Sequence, residues 1–142
     1  MYEQLRLDNQ LCFPLYAASK ELVRHYKPFL DPLDLTYTQY IAMMVLWEQG
    51  QVTVKELGEK LWLDSGTLTP VLKKLEAKGY ILRRRDESDE RSVVVSVTDA
   101  GAALADRASE IPIQVGACLD LSPQEGMELH RLLRKVLAGL GE

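Results

Sequence analysis

No stretch of the 142-residue sequence approaches the ~18 apolar residues of a membrane span, which excludes a transmembrane helix. The N-terminus MYEQLRLDNQ lacks the basic-then-apolar form of a secretion signal, so the expected location is cytoplasmic. Cysteine is scarce. Cys12 and Cys118 stand 106 positions apart, which leaves neither a CxxC motif nor a zinc framework. No metal and no cofactor is implied, and in a reducing compartment both side chains rest as thiols. The two histidines, His25 and His130, are isolated, so no acid/base constellation accompanies a thiol and an enzyme is not expected. The net charge of −4 argues against a generally basic coat, so any nucleic-acid contact must be local.

What is present is a soluble globular composition, 46% hydrophobic and 27% charged, on a chain long enough for its own core. Its charge is unevenly placed. Residues 53–85 hold eight cations (Lys55, Lys60, Lys73, Lys74, Lys78, Arg83, Arg84, Arg85) against four acids, a local +4 that leaves −8 for the remainder. A DNA-binding module set in an acidic scaffold has this asymmetry.

The centre of that segment, residues 63–79 (LDSGTLTPVLKKLEAKG), reads as one short helix. Leu68, Val71, Leu72 and Leu75 form its apolar stripe, while Ser65, Thr67, Thr69, Lys73 and Lys74 occupy the other face. Asp64 or Ser65 caps the start, Pro70 is tolerated near the first turn, and Gly79 closes the end. Short hydroxyls and cations on one face suit base edges and phosphates, although a solvated amphipathic helix has the same pattern.

The neighbours sharpen this. Asp8 or Asn9 caps a first helix that ends before the breaks at Pro28 and Pro32, with Pro14 kinking it or shifting its start. Thr36 with Gln39 opens a nearly all-apolar core helix that Gly50 ends. Thr53 with Glu56 opens a two-turn helix over about Val54–Leu61, and residues 62–64 turn into the helix described above, giving a helix-turn-helix. Two β-rich runs, 80–84 and 93–97, flank the polar loop RDESDERS and add a hairpin wing. A long helix from Thr98 or Asp99 breaks at Pro112, and Ser122 with Pro123 and Glu125 caps a last helix to Leu140. The expected fold is mainly α with a small β-hairpin: one domain over 1–142, with the winged helix-turn-helix at about 36–98 and dimerisation helices at about 8–30 and 99–142. The apolar faces of the two arms are expected to bury each other in a homodimer, the alternative being packing within one chain.

In this order of elements the chain resembles the MarR family of winged-helix repressors. LDNQLCFPLYAASK, LTYTQY and LWLDSGTLTPVLKKLE resemble the organic-hydroperoxide sensors (OhrR type) within it, and Asp89-Glu90-Arg91 fits the family's wing tip. The resemblance implies that Arg91 enters the minor groove with Asp89 holding its guanidinium. Ser65, Thr67, Thr69, Lys73 and Lys74 then meet the major groove and backbone of a palindromic double-stranded operator. Arg83, Arg84 and Arg85 are hairpin-base charges that steer association.

Cys12 stands in the first turns of its helix, where amide N–H groups favour an anion and raise the thiolate fraction. Tyr16, Tyr26, Tyr37 and Tyr40 follow, and a phenol O–H can donate to a thiolate. An inert cysteine among core tyrosines is the reading these residues allow without the family. The resemblance implies that two tyrosines of one subunit hydrogen-bond the reactive cysteine of the other; the matching positions are Tyr26 and Tyr37. Leu11, Phe13 and Leu15 suit an organic hydroperoxide, which takes Cys12 to a sulfenic acid. Cys118 lies where two-cysteine members carry a resolving thiol on the opposite subunit; the alternative is a mixed disulfide with a small thiol. The implied function is a redox-sensing repressor that binds operator DNA when reduced and releases it when oxidised. The rivals are a repressor that binds an aromatic ligand and a thiol peroxidase.

Overall fold

Local caps set most of the helices. The computed structural model describes residues 1–141 as two units, Met1–Ser109 and the segment that begins at Glu110. In the first unit, 3₁₀ turns at Glu3–Leu5 and Leu7–Asn9 precede helix α1, Cys12–Leu30. Asp8 and Asn9 therefore do not cap α1; the helix starts three residues later, at Cys12. The shift puts Pro14 at the third helical position, where a missing N–H forfeits no helical bond. At the other end α1 runs through Pro28 and ends at Leu30, where the arm over about 8–30 was expected to end, and the next turn carries Pro32. An interior proline costs about 3 kcal/mol. Burial of Leu30, Leu33 and Leu35 at the following corner offsets it, at about 1.5–3 kcal/mol for each leucine.

That corner is a 3₁₀ turn, Asp31–Leu33, ended by Asp34 in the left-handed region (φ 55°). Helix α2, Tyr37–Gln49, then opens on the expected capping box of Thr36 with Gln39 and stops at Gly50 (φ 77°). Its Met43 and Leu46 are wholly buried, as befits a core helix.

Strand β1, Gln51–Thr53, carries no strand signature of its own in the sequence. It pairs antiparallel with β3, Val93–Val97, which also pairs with β2, Ile81–Arg85, so the wing belongs to a three-stranded sheet in the order β1-β3-β2. Thr53 ends β1 and caps helix α3, Val54–Leu61, by accepting the Glu56 N–H at 3.1 Å. Trp62 (φ 58°) turns the chain into helix α4, Ser65–Ala77. Pro70 is the sixth residue of α4 rather than near its first turn. The four leucine and valine positions of its stripe, Leu68, Val71, Leu72 and Leu75, are buried. At the C-terminus Tyr80 N–H donates to Leu75 C=O and Gly79 N–H to Glu76 C=O, a Schellman motif that needs the positive φ of Gly79 (81°). Helix α5, Asp99–Ala108, is capped by Thr98 and completes this unit.

In the second unit Pro112 is the second residue of helix α6, Ile111–Ala117, so the break expected there falls just before it. Helix α7, Pro123–Leu140, opens on the Ser122 and Glu125 capping box and buries none of its residues. Leu129, Leu132, Val136 and Leu137 recur at helical spacing and are each at least 40% exposed. In α1, likewise, Phe13, Leu15 and Val23 are exposed and only Leu30 is buried. Both arms present unburied apolar stripes.

Candidate nucleic-acid interface and redox site

Asp64 caps α4 by accepting the Thr67 N–H at 2.7 Å, and this bond, with a further one from Gly66, holds its carboxyl below the usual range. The cap directs Ser65 and Thr67 to solvent at the head of the helix, and Lys73 and Lys74 are exposed further along. Thr69 is half-buried, and its hydroxyl donates to the Ser65 carbonyl at 2.7 Å. That proton is therefore committed to the helix, and the oxygen keeps only its acceptor capacity.

The wing tip is built from local turns. Asp86 accepts from Ser88 N–H and O–H at 3.0 and 2.9 Å, and Arg85 donates to the Glu90 carbonyl at 2.8 Å. Asp89 accepts the backbone N–H of Arg91 at 3.0 Å and pairs with no guanidinium among the described residues. In the structure the Asp89 carboxylate shapes the turn, and the Arg91 side chain is exposed.

An open cleft of about 920 Å³ lies between α3, α4 and the wing. It brings Ser65, Thr69 and Arg91 to one surface with Lys55, Trp62 and Arg83, while Thr67, Lys73, Lys74 and Asp89 lie outside its walls. Arg83 is more than a steering charge. Its guanidinium donates to Glu76 of α4 at 3.0 Å and holds that carboxyl below the usual range. Trp62 and Glu76 were not singled out from the sequence. The left-handed turn and the cross-element pair that give them their places carry no local signature.

At the redox end Cys12 is the first residue of α1, exposed, where the helix has free amide N–H groups and no side-chain cap. Tyr26 and Tyr37 meet across the corner between α1 and α2, ring centroids 4.9 Å apart. Tyr40 joins both, at 5.6 and 6.2 Å, and abuts Trp47. Tyr16 stays apart, its ring under the Lys20 ammonium. Burial raises Tyr26, with help from Tyr37, and raises Tyr37; burial and the two neighbouring phenols push Tyr40 up to about 12. All three therefore carry an O–H donor at neutral pH. Cys118 is exposed at the C-cap of α6 in the second unit, its thiol 3.4 Å from the Gln114 carbonyl.

Residues 24–108 match the family described as transcriptional regulator SarA/Rot. The organic hydroperoxide resistance transcriptional regulator of Bacillus subtilis (strain 168) is 52% identical over 131 residues, which are 92% of this chain and 87% of that one. Reduced AbfR bound to DNA superposes with a TM-score of 0.81 at 36% identity, covering 99% of this chain and 98% of AbfR. The disulfide form of AbfR gives 0.67 at 36% identity, with 95% of each chain covered; AbfR is from Staphylococcus epidermidis. No helix among the described residues is long and apolar enough to cross a membrane. The chain belongs to the SarA/Rot and MarR-type winged-helix transcriptional regulators, in the company of the organic hydroperoxide resistance regulator.

Proposed function

We propose that this protein is a homodimeric, cytoplasmic, redox-sensing repressor that releases a palindromic operator when an organic hydroperoxide oxidises Cys12. The carrying observation is the Tyr26 and Tyr37 pair, two protonated phenols 4.9 Å apart whose hydroxyls bond no other described residue. They are free to donate to the partner subunit's Cys12, which the unburied stripe of α1 would bring to them across a two-fold axis.

In this chemistry the Cys12 thiolate attacks the outer oxygen of the hydroperoxide. The S–O bond forms as the O–O bond breaks, sulfur is oxidised to a sulfenic acid, and the departing alkoxide takes a proton from water. The partner subunit's Cys118 thiol then displaces water and closes a disulfide. One hydroperoxide is consumed per event, and the transcriptional-regulator relatives support a sensor over a turnover peroxidase. In the reduced dimer Ser65, Thr67, Thr69, Lys73 and Lys74 face the major groove, and Arg91, on the turn shaped by Asp89, reaches the minor groove.

Operator release is measured for wild type, Cys12→Ser and Cys118→Ser against an organic hydroperoxide, hydrogen peroxide and hypochlorite. The expected result is release of wild type at the lowest dose of organic hydroperoxide, none for Cys12→Ser, and loss of the peroxide-dependent dimer band for Cys118→Ser. A Cys12→Ser protein that still lets go overturns thiol sensing. A dimer band that survives Cys118→Ser removes the resolving role.

A further inference from the structure

The corner between α1 and α2 holds more than the tyrosines. Lys78, the C-cap residue just after α4 and half-buried, reaches across to it. Its ammonium donates to the Asp34 carbonyl, lies 3.2 Å from Gln39 Oε1 and sits 3.5 Å from the Asp34 carboxylate. Gln39, 3% exposed, is the buried polar side chain of the core, and the same oxygen accepts the Thr36 N–H that caps α2. Asp34 is held at φ 55°, a strained backbone for a side-chain-bearing residue. Arg107 of α5 adds a bond from its guanidinium to Pro32 C=O at 2.8 Å. The end of the sensor helix, the capped start of the helix bearing Tyr37 and Tyr40, and the end of the recognition helix therefore share one small polar junction.

From this we infer that Lys78 is a positioning residue that couples the tyrosine corner to the recognition helix, an assignment that rests on the redox-sensing reading. The reason is mechanical. An ammonium with three oxygen partners, one on a buried side chain, fixes position and angle. A shift of the capped first turn of α2, where Tyr37 meets the partner's cysteine, displaces the Gln39 and Asp34 oxygens. The C-terminus of α4 follows them, and with it the helix that reads DNA. Without the ammonium the two ends can move independently.

The test compares operator affinity of reduced and peroxide-treated protein for wild type and Lys78→Met, which keeps the alkyl stem and removes charge and donors. The expected result is that the reduced-to-oxidised affinity ratio shrinks by about threefold to thirtyfold, while Cys12 is oxidised at the wild-type rate by mass spectrometry. A ratio equal to wild type, with both affinities lowered alike, overturns the coupling role and leaves Lys78 a structural residue. Should Lys78→Met fail to fold by circular dichroism, Lys78→Gln, which keeps an N–H donor without the charge, is read by the same ratio. Wild-type protein whose affinity ignores the oxidant rejects the sensing reading itself, an outcome visible without any Lys78 variant.

Discussion

Arg83 on β2 and Glu76 on α4 form an ion pair at 3.0 Å, tying the wing to the recognition helix from below. Arg83 Nε beneath it is buried without a partner among the described residues, so the pair also anchors a partly desolvated guanidinium. The Arg83 hydrogen bond lowers the Glu76 carboxyl in the folded protein. A lowered acid stabilises the fold above its unfolded-state value, about pH 4.3, and that contribution is lost as pH falls through the lowered folded value. Glu76→Gln should therefore melt slightly below wild type at neutral pH, and the two thermal curves should converge as the medium is acidified. A gap of constant size down to strong acid would mean that the carboxylate charge contributes nothing.

Gly101 should tolerate no side chain. A Cβ there would run into the Tyr80 carbonyl oxygen, which is backbone, and stand 2.9 Å from Val97 Cγ2. The same glycine accepts the Trp47 indole N–H at 2.8 Å and donates its own N–H to Thr98 Oγ1 at 3.1 Å. α5 is thereby locked to α2 and to the turn that follows α4. Gly101→Ala should cost about 1–3 kcal/mol through overpacking, read as a lower denaturant midpoint. Because Tyr80 completes the Schellman motif of α4, operator affinity should fall with it. Unchanged stability would show that the backbone at Tyr80 yields more easily than its hydrogen bonds suggest.

The legible features of this fold are those whose causes are local. Thr36 with Gln39 and Ser122 with Glu125 cap their helices as the three-residue spacing requires, and Gly79 takes the left-handed angle that ends α4. Features that depend on distant partners were not legible. Gln51–Thr53 is too short to read as a strand until β3 is beside it, and it doubles as the approach to a cap. How α1 accommodates Pro28 depends on burial of Leu30 and the corner beyond. At the site, the role of Asp89 toward a side chain could not be separated in sequence from its role toward the N–H two residues on. The joining of Tyr26 to Tyr37, and of Lys78 to Gln39, needed the corner itself.

The wing geometry yields the sharpest DNA prediction. If Arg91 is inserted in the minor groove, Arg91→Ala should weaken operator binding and make the plot of log affinity against log salt shallower by about one unit. Asp89 then separates two mechanisms. Were its carboxylate a clamp on the guanidinium, Asp89→Asn would lose the charge and with it much of the arginine's orientation. Since Asp89 Oδ1 instead accepts the Arg91 backbone N–H at 3.0 Å, asparagine supplies the same acceptor and preserves the turn. Asp89→Asn should therefore bind operator nearly as wild type, whereas Asp89→Ala, which has no acceptor, should approach the loss seen for Arg91→Ala. A gel-shift titration across a salt series measures all three. If the asparagine and alanine variants are equally impaired, the charge matters after all, and Asp89 engages the guanidinium on DNA.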